Sequence, residues 1–181
     1  FEFAIVPKEK TIRFGMAAVK GVGVAAVDEI IRARDGDGKC KNVEDFAERV
    51  STSKVNRKAW DALIRAGAFD SLGDRSDLLF NLDNILAFAS KLQKEALSGQ
   101  IDLFAALGGG SDTLMPSIEL KNAPVKYTNK EQLMWERELL GLYISAHPLD
   151  NFDAFFEEQT IPLSIVTQKI DGQKVTIGGL V

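Results

Sequence analysis

Residues 18–27 of this chain read AVKGVGVAAV, and this stretch decides how the first half of the sequence is interpreted. It holds an apolar segment, a G-x-G turn at Gly21 and Gly23, and a second apolar segment that continues to Ile30 and Ile31. Glycine adopts positive φ easily and has no side chain to keep a neighbour away from its backbone. The pattern therefore predicts two helices joined by a tight turn whose glycines take positive φ and whose backbone can approach a ligand. We call residues 18–27 hairpin 1.

Hairpin 1 also predicts a site for an anion. The first N–H groups of a helix have no partner inside it, and the helix dipole makes that end positive. A phosphate held by backbone N–H groups is bound without regard to base sequence, and more weakly as salt rises. We interpret Lys20, Gly21, Val22 and Gly23 as candidate ligands of the DNA backbone. The alternative is that the turn only closes two packed helices.

Residues 63–72, LIRAGAFDSL, repeat the order of helix, small-residue turn and helix, and we call them hairpin 2. Two such units in tandem can pack about a pseudo-two-fold axis, so Arg65 and Gly67 become further candidate DNA ligands. Phe69 and Asp70 stand where a bulky side chain or a negative charge would keep a phosphate away, so hairpin 2 can also be purely structural. Basic residues near the two turns would either complete a DNA face or be solvated surface; they are Arg13, Lys20, Lys54, Arg57, Lys58 and Arg65.

The segment from Met16 to Glu95 has apolar residues at intervals of three and four, which predicts a bundle of about five helices. Three of them are expected near 24–34, 43–50 and 57–66. The last is expected to begin at Asp74 as its cap and to end at Gly99. One apolar stripe runs along it: Leu78, Leu79, Leu82, Ile85, Leu86, Ala89 and Leu92.

The predicted fold class is mainly α, with other elements flanking the bundle. Residues 1–6 and 11–14 predict a small β-hairpin, and Thr128 with Glu131 predicts a capping box for a helix through Leu140 that Gly141 ends. Apolar residues at 165–170, Val175 and Ile177 predict the opening strands of a β domain. We divide the chain into 1–14, 15–98, a glycine- and proline-rich linker over 99–127, and 128–181, and we expect both ends to be cut from something longer.

The linker carries a short apolar strip, QIDLF at residues 100–104. Burial of a leucine or phenylalanine side chain is favourable by about 1.5 to 3 kcal/mol relative to exposure, so both residues should find a pocket in this chain or in another. A glutamine three residues earlier can orient such a strip in a groove. We therefore interpret Gln100, Asp102, Leu103 and Phe104 as candidate ligands of a partner protein. Alternatively, the two apolar side chains fold back onto the bundle.

Composition narrows the class of protein. Apolar residues make up 45% and charged residues 27%, within the globular range, and no apolar run is long enough for a membrane span. One Cys and one His exclude an internal disulfide and the usual structural zinc set, so we predict no metal and a cytoplasmic location. A net charge of −4 favours a local DNA contact or a protein partner. His147, before Pro148, is interpreted as a turn or capping residue.

Several separated stretches resemble bacterial DNA polymerase III alpha subunits, in that family's order. They are IRFGM at 12–16 with KGVG at 20–23, residues 63–72, QIDLF at 100–104, and ELLGLYISAHPLD at 138–150. The resemblance implies a tandem helix-hairpin-helix domain on duplex DNA, the strip as ligand of the beta sliding clamp, and a truncated OB-fold domain that begins within residues 128–181. It also implies a template-directed polymerase as the parent protein and other holoenzyme subunits as partners.

The same resemblance implies no catalytic residue and no cofactor in this chain, because the magnesium-binding carboxylates of the family lie in a palm domain outside it. Two departures are noted: hairpin 2 is degenerate, and Ala146 stands where glycine is expected. Two other functions stay open, a helix-hairpin-helix DNA repair enzyme and a purely structural linker. Base excision or nicking of damaged duplexes would indicate the repair enzyme. Binding to neither DNA nor clamp would indicate the structural linker.

Overall fold

Seven α-helices and two short strands make up the described part of this computed structural model, which covers residues 3–8, 10–98, 118–166 and 172–179. The chain divides into two compact regions, Phe1–Leu142 and Tyr143–Val181. In chain order the elements are β1 (Ala4–Val6), β2 (Thr11–Arg13), α1 (Val24–Asp37), α2 (Val43–Arg49), α3 (Arg57–Arg65), α4 (Arg75–Phe80), α5 (Leu82–Ser98), α6 (Asn129–Leu140) and α7 (Asp153–Gln159). The predicted mainly α class is confirmed. None of the described helices combines the length and apolarity needed to cross a membrane.

The first compact region begins with the predicted β-hairpin. Strands β1 and β2 are antiparallel, with Ile5 opposite Ile12. Phe3 and Phe14 extend the pairing, their rings meeting edge to face at 4.7 Å. Phe14 packs against the helical core, so this aromatic pair attaches the hairpin to the bundle.

Helices α1 to α5 form the predicted five-helix bundle around an aromatic centre. Trp60 is completely buried and stacks on Phe69 at 5.2 Å, and Phe46 meets both rings edge to face. Aromatic side chains bury large areas, and such ring pairs add about 0.5–1.5 kcal/mol beyond area burial. Phe69, the bulky residue of the hairpin 2 turn, is therefore a core residue, 3% exposed.

The predicted single helix from Asp74 to Gly99 is wrong in one respect, because a break at Asn81 divides it into α4 and α5. The buried Asn81 amide donates to the carbonyl of Lys121 at 2.7 Å and accepts from the Lys121 N–H at 3.1 Å. These bonds join Asn81 to a segment forty residues later in the chain. The apolar stripe continues across the break, with Leu78, Leu82 and Ile85 all buried, so the sequence pattern gave no sign of it.

Residues 118–127 lie extended along the bundle, within the predicted linker. Besides the Asn81 pair, their backbone N–H groups donate to Glu44, Asp77 and Ser76 at distances of 2.7 to 3.0 Å. Lys126 forms ion pairs with Asp74 and Asp77. We call residues 118–127 the strap. The division of the whole chain into four parts stays a prediction.

The loop between α2 and α3 is held by two polar side chains from other helices. Glu29 of α1, 2% exposed, accepts from the Ser51 N–H, Lys54 and Arg32. The Arg32 hydrogen bond is the main reason why the pKa of Glu29 is lowered to about 2, with smaller contributions from Lys54 and Ser51. Gln93 of α5 bonds to Thr52 and to the carbonyl of Val50.

Helix α6 packs on the bundle through its buried face. Its predicted capping box is confirmed, since Thr128 and Glu131 bond reciprocally, and Gly141 ends the helix at φ +78°. Leu133 and Glu136 are buried. The helix therefore brings a buried carboxylate to the bundle.

The second compact region contains α7, short 3₁₀ turns at Asp150–Phe152 and Leu163–Ile165, and a hydrogen bond from the Ile161 N–H to the Thr176 carbonyl. Its described residues include no strand: Ile165 lies in a 3₁₀ turn, and Val175 and Ile177 lie in irregular chain. Residues 167–171 are outside the described part. The predicted OB-like domain stays a prediction.

Candidate nucleic-acid interface

Hairpin 1 is a tight turn anchored by two buried valines. Val19 and Val22 point into the core, and the Val22 N–H donates to the Val19 carbonyl at 3.1 Å. Gly21 has φ +93°, as predicted for the turn. Gly23 differs from the prediction: it has φ −79° and an extended backbone, and it is the N-terminal cap residue of α1. Only Gly21 needs positive φ.

The surface of hairpin 1 presents a group of unused donors. The N–H groups of Gly21, Gly23, Val24 and Ala25 have no acceptor among the described residues, and all four residues are exposed. Helix α1 has no side-chain cap, because its cap residue is glycine. A helix N-terminus with free N–H groups attracts anions through direct hydrogen bonds and the helix dipole. We call these four groups the hairpin 1 amides.

The neighbouring Lys20 N–H is used inside the molecule. It donates to the carbonyl of Leu139, in the last turn of α6, at 2.9 Å. The Lys20 side chain is exposed and has no ion pair among the described residues. Of the predicted ligands in this turn, Lys20 thus offers its side chain, Gly21 and Gly23 offer backbone N–H groups, and Val22 is a core anchor.

Hairpin 2 is built differently, because a side chain of the protein fills its turn. The Arg75 guanidinium donates to the carbonyl of Arg65 at 3.2 Å, to Asp70 at 2.6 Å and to Glu136 at 3.0 Å. Gly67 has φ +82°, and a Cβ there would collide with that guanidinium and lie 2.9 Å from Asp70 Oδ2. The close approach that Gly67 permits is therefore made by Arg75.

The helix that follows hairpin 2 is also closed to anions. Asp74 Oδ1 accepts from the N–H groups of Ser76 and Asp77, the donors that an anion would use. The hydrogen bond from Lys126 is the largest cause holding the pKa of Asp74 below its usual range, so this cap keeps its negative charge. The predicted ligand Arg65 is occupied as well, since it pairs with Asp61 at 2.9 Å and lies over the Trp135 ring at 4.6 Å.

The basic residues near the turns divide into paired and unpaired groups. Lys54 pairs with Glu29, and Arg57 pairs with Asp83. Lys58, predicted only as one of several basic residues that could complete a DNA face, is exposed and has no ion pair among the described residues. A Cβ on Gly21 would lie 3.5 Å from Lys58 Cε, so this side chain crosses from α3 to hairpin 1. Its position depends on how α3 packs against that turn, which no local pattern encodes.

The remaining candidate residues lie outside the two hairpins. Gln100, Asp102, Leu103 and Phe104 lie outside the described residues. His147 is in a turn, as predicted: its N–H donates to Asp150 at 2.7 Å and its Nδ1 accepts from the Leu149 N–H. In the described ranges, no three His, Cys, Asp or Glu side chains are grouped to hold a metal.

Comparison with known proteins gives a consistent result. A family profile described as a helix-hairpin-helix motif matches residues 1–78. The DNA polymerase III subunit alpha of Saccharopolyspora erythraea is 38% identical over 142 residues, 77% of this chain and 12% of that protein. The proteins of the same name from Mycobacterium tuberculosis and Haemophilus influenzae are 34% identical over 93% and 97% of this chain. The chain spans 12–15% of the length of these relatives.

Proposed function

We propose that this chain, which is homologous to one segment of bacterial DNA polymerase III alpha subunits, holds duplex DNA by its backbone through hairpin 1 and links the polymerase to the beta sliding clamp through residues 100–104. The observation that carries the proposal is the group of hairpin 1 amides beside the exposed Lys20, whose side chain has no ion pair in the part of the chain that the structure describes. The parent protein would be a template-directed DNA polymerase in the cytoplasm, working with the other subunits of its holoenzyme. Nucleotidyl transfer, and the magnesium it uses, are assigned to other parts of that protein.

The DNA contact is local, as the net charge of −4 requires. Backbone N–H donors give no information on base sequence, so they position a protein on a duplex without selecting a site. The contacts of Arg65 and Gly67 inside the protein favour a structural role for hairpin 2, so the proposal places DNA at Lys20, Gly21 and Gly23. Val22 supports the turn from within the core.

DNA binding is tested by titrating the full chain against two labelled duplexes of unrelated sequence. We expect equal affinity for both, falling steeply between about 50 mM and 200 mM salt as condensed counterions are released. Lys20→Gln should bind more weakly. Lys94→Gln, at an exposed position on α5, removes the same charge elsewhere and should bind like the wild type. Affinity that depends on sequence and not on salt would contradict the proposal.

The clamp contact depends on two apolar anchors. Leu103→Ala and Phe104→Ala together should weaken binding to purified beta clamp by at least about 2 kcal/mol, because buried anchors dominate such peptide interfaces. The measurement is a calorimetric titration of the full chain. Leu114→Ala lies in the same linker outside the strip and serves as the matched control. Equal clamp binding by all variants would exclude the strip as the ligand.

The two contacts together give processivity. When one of the two linked contacts dissociates, the other keeps the chain close to both partners. The lost contact then re-forms at high effective concentration, so two modest affinities give a long-lived complex. The proposed linker ends at the strap, because the chain is hydrogen-bonded to the bundle from Ile118 onward. The tether would therefore extend from the end of α5 to the start of the strap.

A further inference from the structure

We propose that the two helix-hairpin-helix units share one phosphate site, in which hairpin 1 supplies the backbone donors and Lys58 of the second unit supplies a cation. This inference rests on the proposed DNA binding by hairpin 1 and adds a residue to it. The helix-hairpin-helix that contains hairpin 2 then takes part in binding through a side chain, Lys58, and its turn does not bind a second phosphate.

The packing of α3 against hairpin 1 places Lys58 at the site. Lys58 and Ala62 are four residues apart and therefore lie on one face of the helix. Both face Gly21, since a Cβ there would lie 3.5 Å from Lys58 Cε and 3.6 Å from Ala62 Cβ. Ala62 is buried and anchors this contact. The Asn56 side chain caps α3 by accepting from the Ala59 N–H, which fixes the start of the helix next to Lys58.

The charges around α3 leave Lys58 available for an anion. Its neighbours Arg57 and Arg65 are neutralised by Asp83 and Asp61, and Lys54 by the buried Glu29. Lys58 and Lys20 are exposed, and neither has an acidic partner among the described residues. A phosphate on the hairpin 1 amides would thus meet cations from both units.

Hairpin 2 cannot offer an equivalent site of its own. Asp74 occupies the N–H groups at the start of α4, and the Arg75 guanidinium fills the turn at Gly67. A phosphate would meet the carboxylates of Asp70 and Asp74 there. The second unit therefore contributes to binding through Lys58 on its first helix.

The test measures duplex DNA binding by the full chain over a salt series for Lys58→Gln, Lys58→Arg, Lys20→Gln and Lys94→Gln. We expect Lys58→Gln to bind about three- to tenfold more weakly at low salt, and its slope of log affinity against log salt to be smaller by about 0.9, the loss of one phosphate contact. Lys58→Arg, which keeps the charge, should restore both values. Lys94→Gln should match the wild type.

Two results would overturn the inference and are distinguishable. If Lys58→Gln binds like the wild type while Lys20→Gln is weakened, hairpin 1 binds DNA without Lys58, and the proposed function stands. If the wild-type chain shows no binding that depends on salt, the proposed function fails together with the inference. Far-ultraviolet circular dichroism of each variant checks that the substitution at its exposed position leaves the fold unchanged.

Discussion

Arg75→Ala is expected to lower the free energy of unfolding by about 3–5 kcal/mol, because it removes the guanidinium from its ion pair with the buried Glu136 carboxylate. Glu136 is 1% exposed and Arg75 5%, and their ion pair measures 3.0 Å. Asp70, on the other side of the guanidinium, is exposed and can be solvated. The measurement is urea unfolding of the full chain, followed by tryptophan fluorescence.

Two comparison variants separate this effect from the loss of any ion pair. Arg34→Ala removes an exposed arginine that pairs with Asp35 at 2.8 Å, and should cost less than about 1 kcal/mol. The double variant Arg75→Met with Glu136→Met removes both buried charges and should recover much of the lost stability. A cost for Arg75→Ala no larger than that of Arg34→Ala would show that the buried pair does not hold α6 to the bundle.

Gly67→Ala is expected to destabilise the protein by roughly 3–5 kcal/mol, the sum of two effects. An L-residue at positive φ costs about 1–2 kcal/mol, and the new Cβ displaces the Arg75 guanidinium from Asp70 and Glu136. Gly141→Ala is the matched control, since Gly141 has φ +78° with no atom within 4 Å of an added Cβ. The difference between the two variants in urea unfolding measures the collision alone.

A double-mutant cycle tests whether Gly67 and Arg75 act together. In an Arg75→Ala background the guanidinium is absent and the exposed Asp70 carboxylate can rotate away from the new Cβ, so Gly67→Ala should cost only about as much as Gly141→Ala. Equal costs for Gly67→Ala with and without Arg75 would contradict the view that the turn of hairpin 2 is shaped around this side chain.

Local signals predicted most of the fold. Cap residues and apolar periodicity indicated the helices of the bundle, and the Thr128–Glu131 capping box marked the start of α6. The break at Asn81 could not be predicted, because its cause is a pair of hydrogen bonds to Lys121. The strap follows the same rule, since its partners Glu44, Ser76 and Asp77 belong to helices distant in sequence.

The candidate site shows the same division. The hairpin 1 glycines were recognisable from the sequence, although only Gly21 needs its conformational freedom. Phe69 and Asp70 already indicated that hairpin 2 could be structural. In the structure Phe69 packs in the aromatic core, and Asp70 accepts a hydrogen bond from Arg75. The position of Lys58 over Gly21 arises from tertiary packing, so sequence reasoning named Lys58 only as one of several nearby cations.

Titration of the ¹⁵N-labelled full chain with duplex DNA, followed through its backbone amide resonances, distinguishes whether hairpin 1 or hairpin 2 receives the DNA backbone. We predict the largest shifts at Gly21, Gly23, Val24 and Ala25, whose N–H groups have no acceptor among the residues that the structure describes, and small shifts over residues 66–73. Unchanged resonances at those four residues under saturating DNA, or shifts concentrated at residues 66–73, would show that hairpin 1 does not receive the DNA backbone.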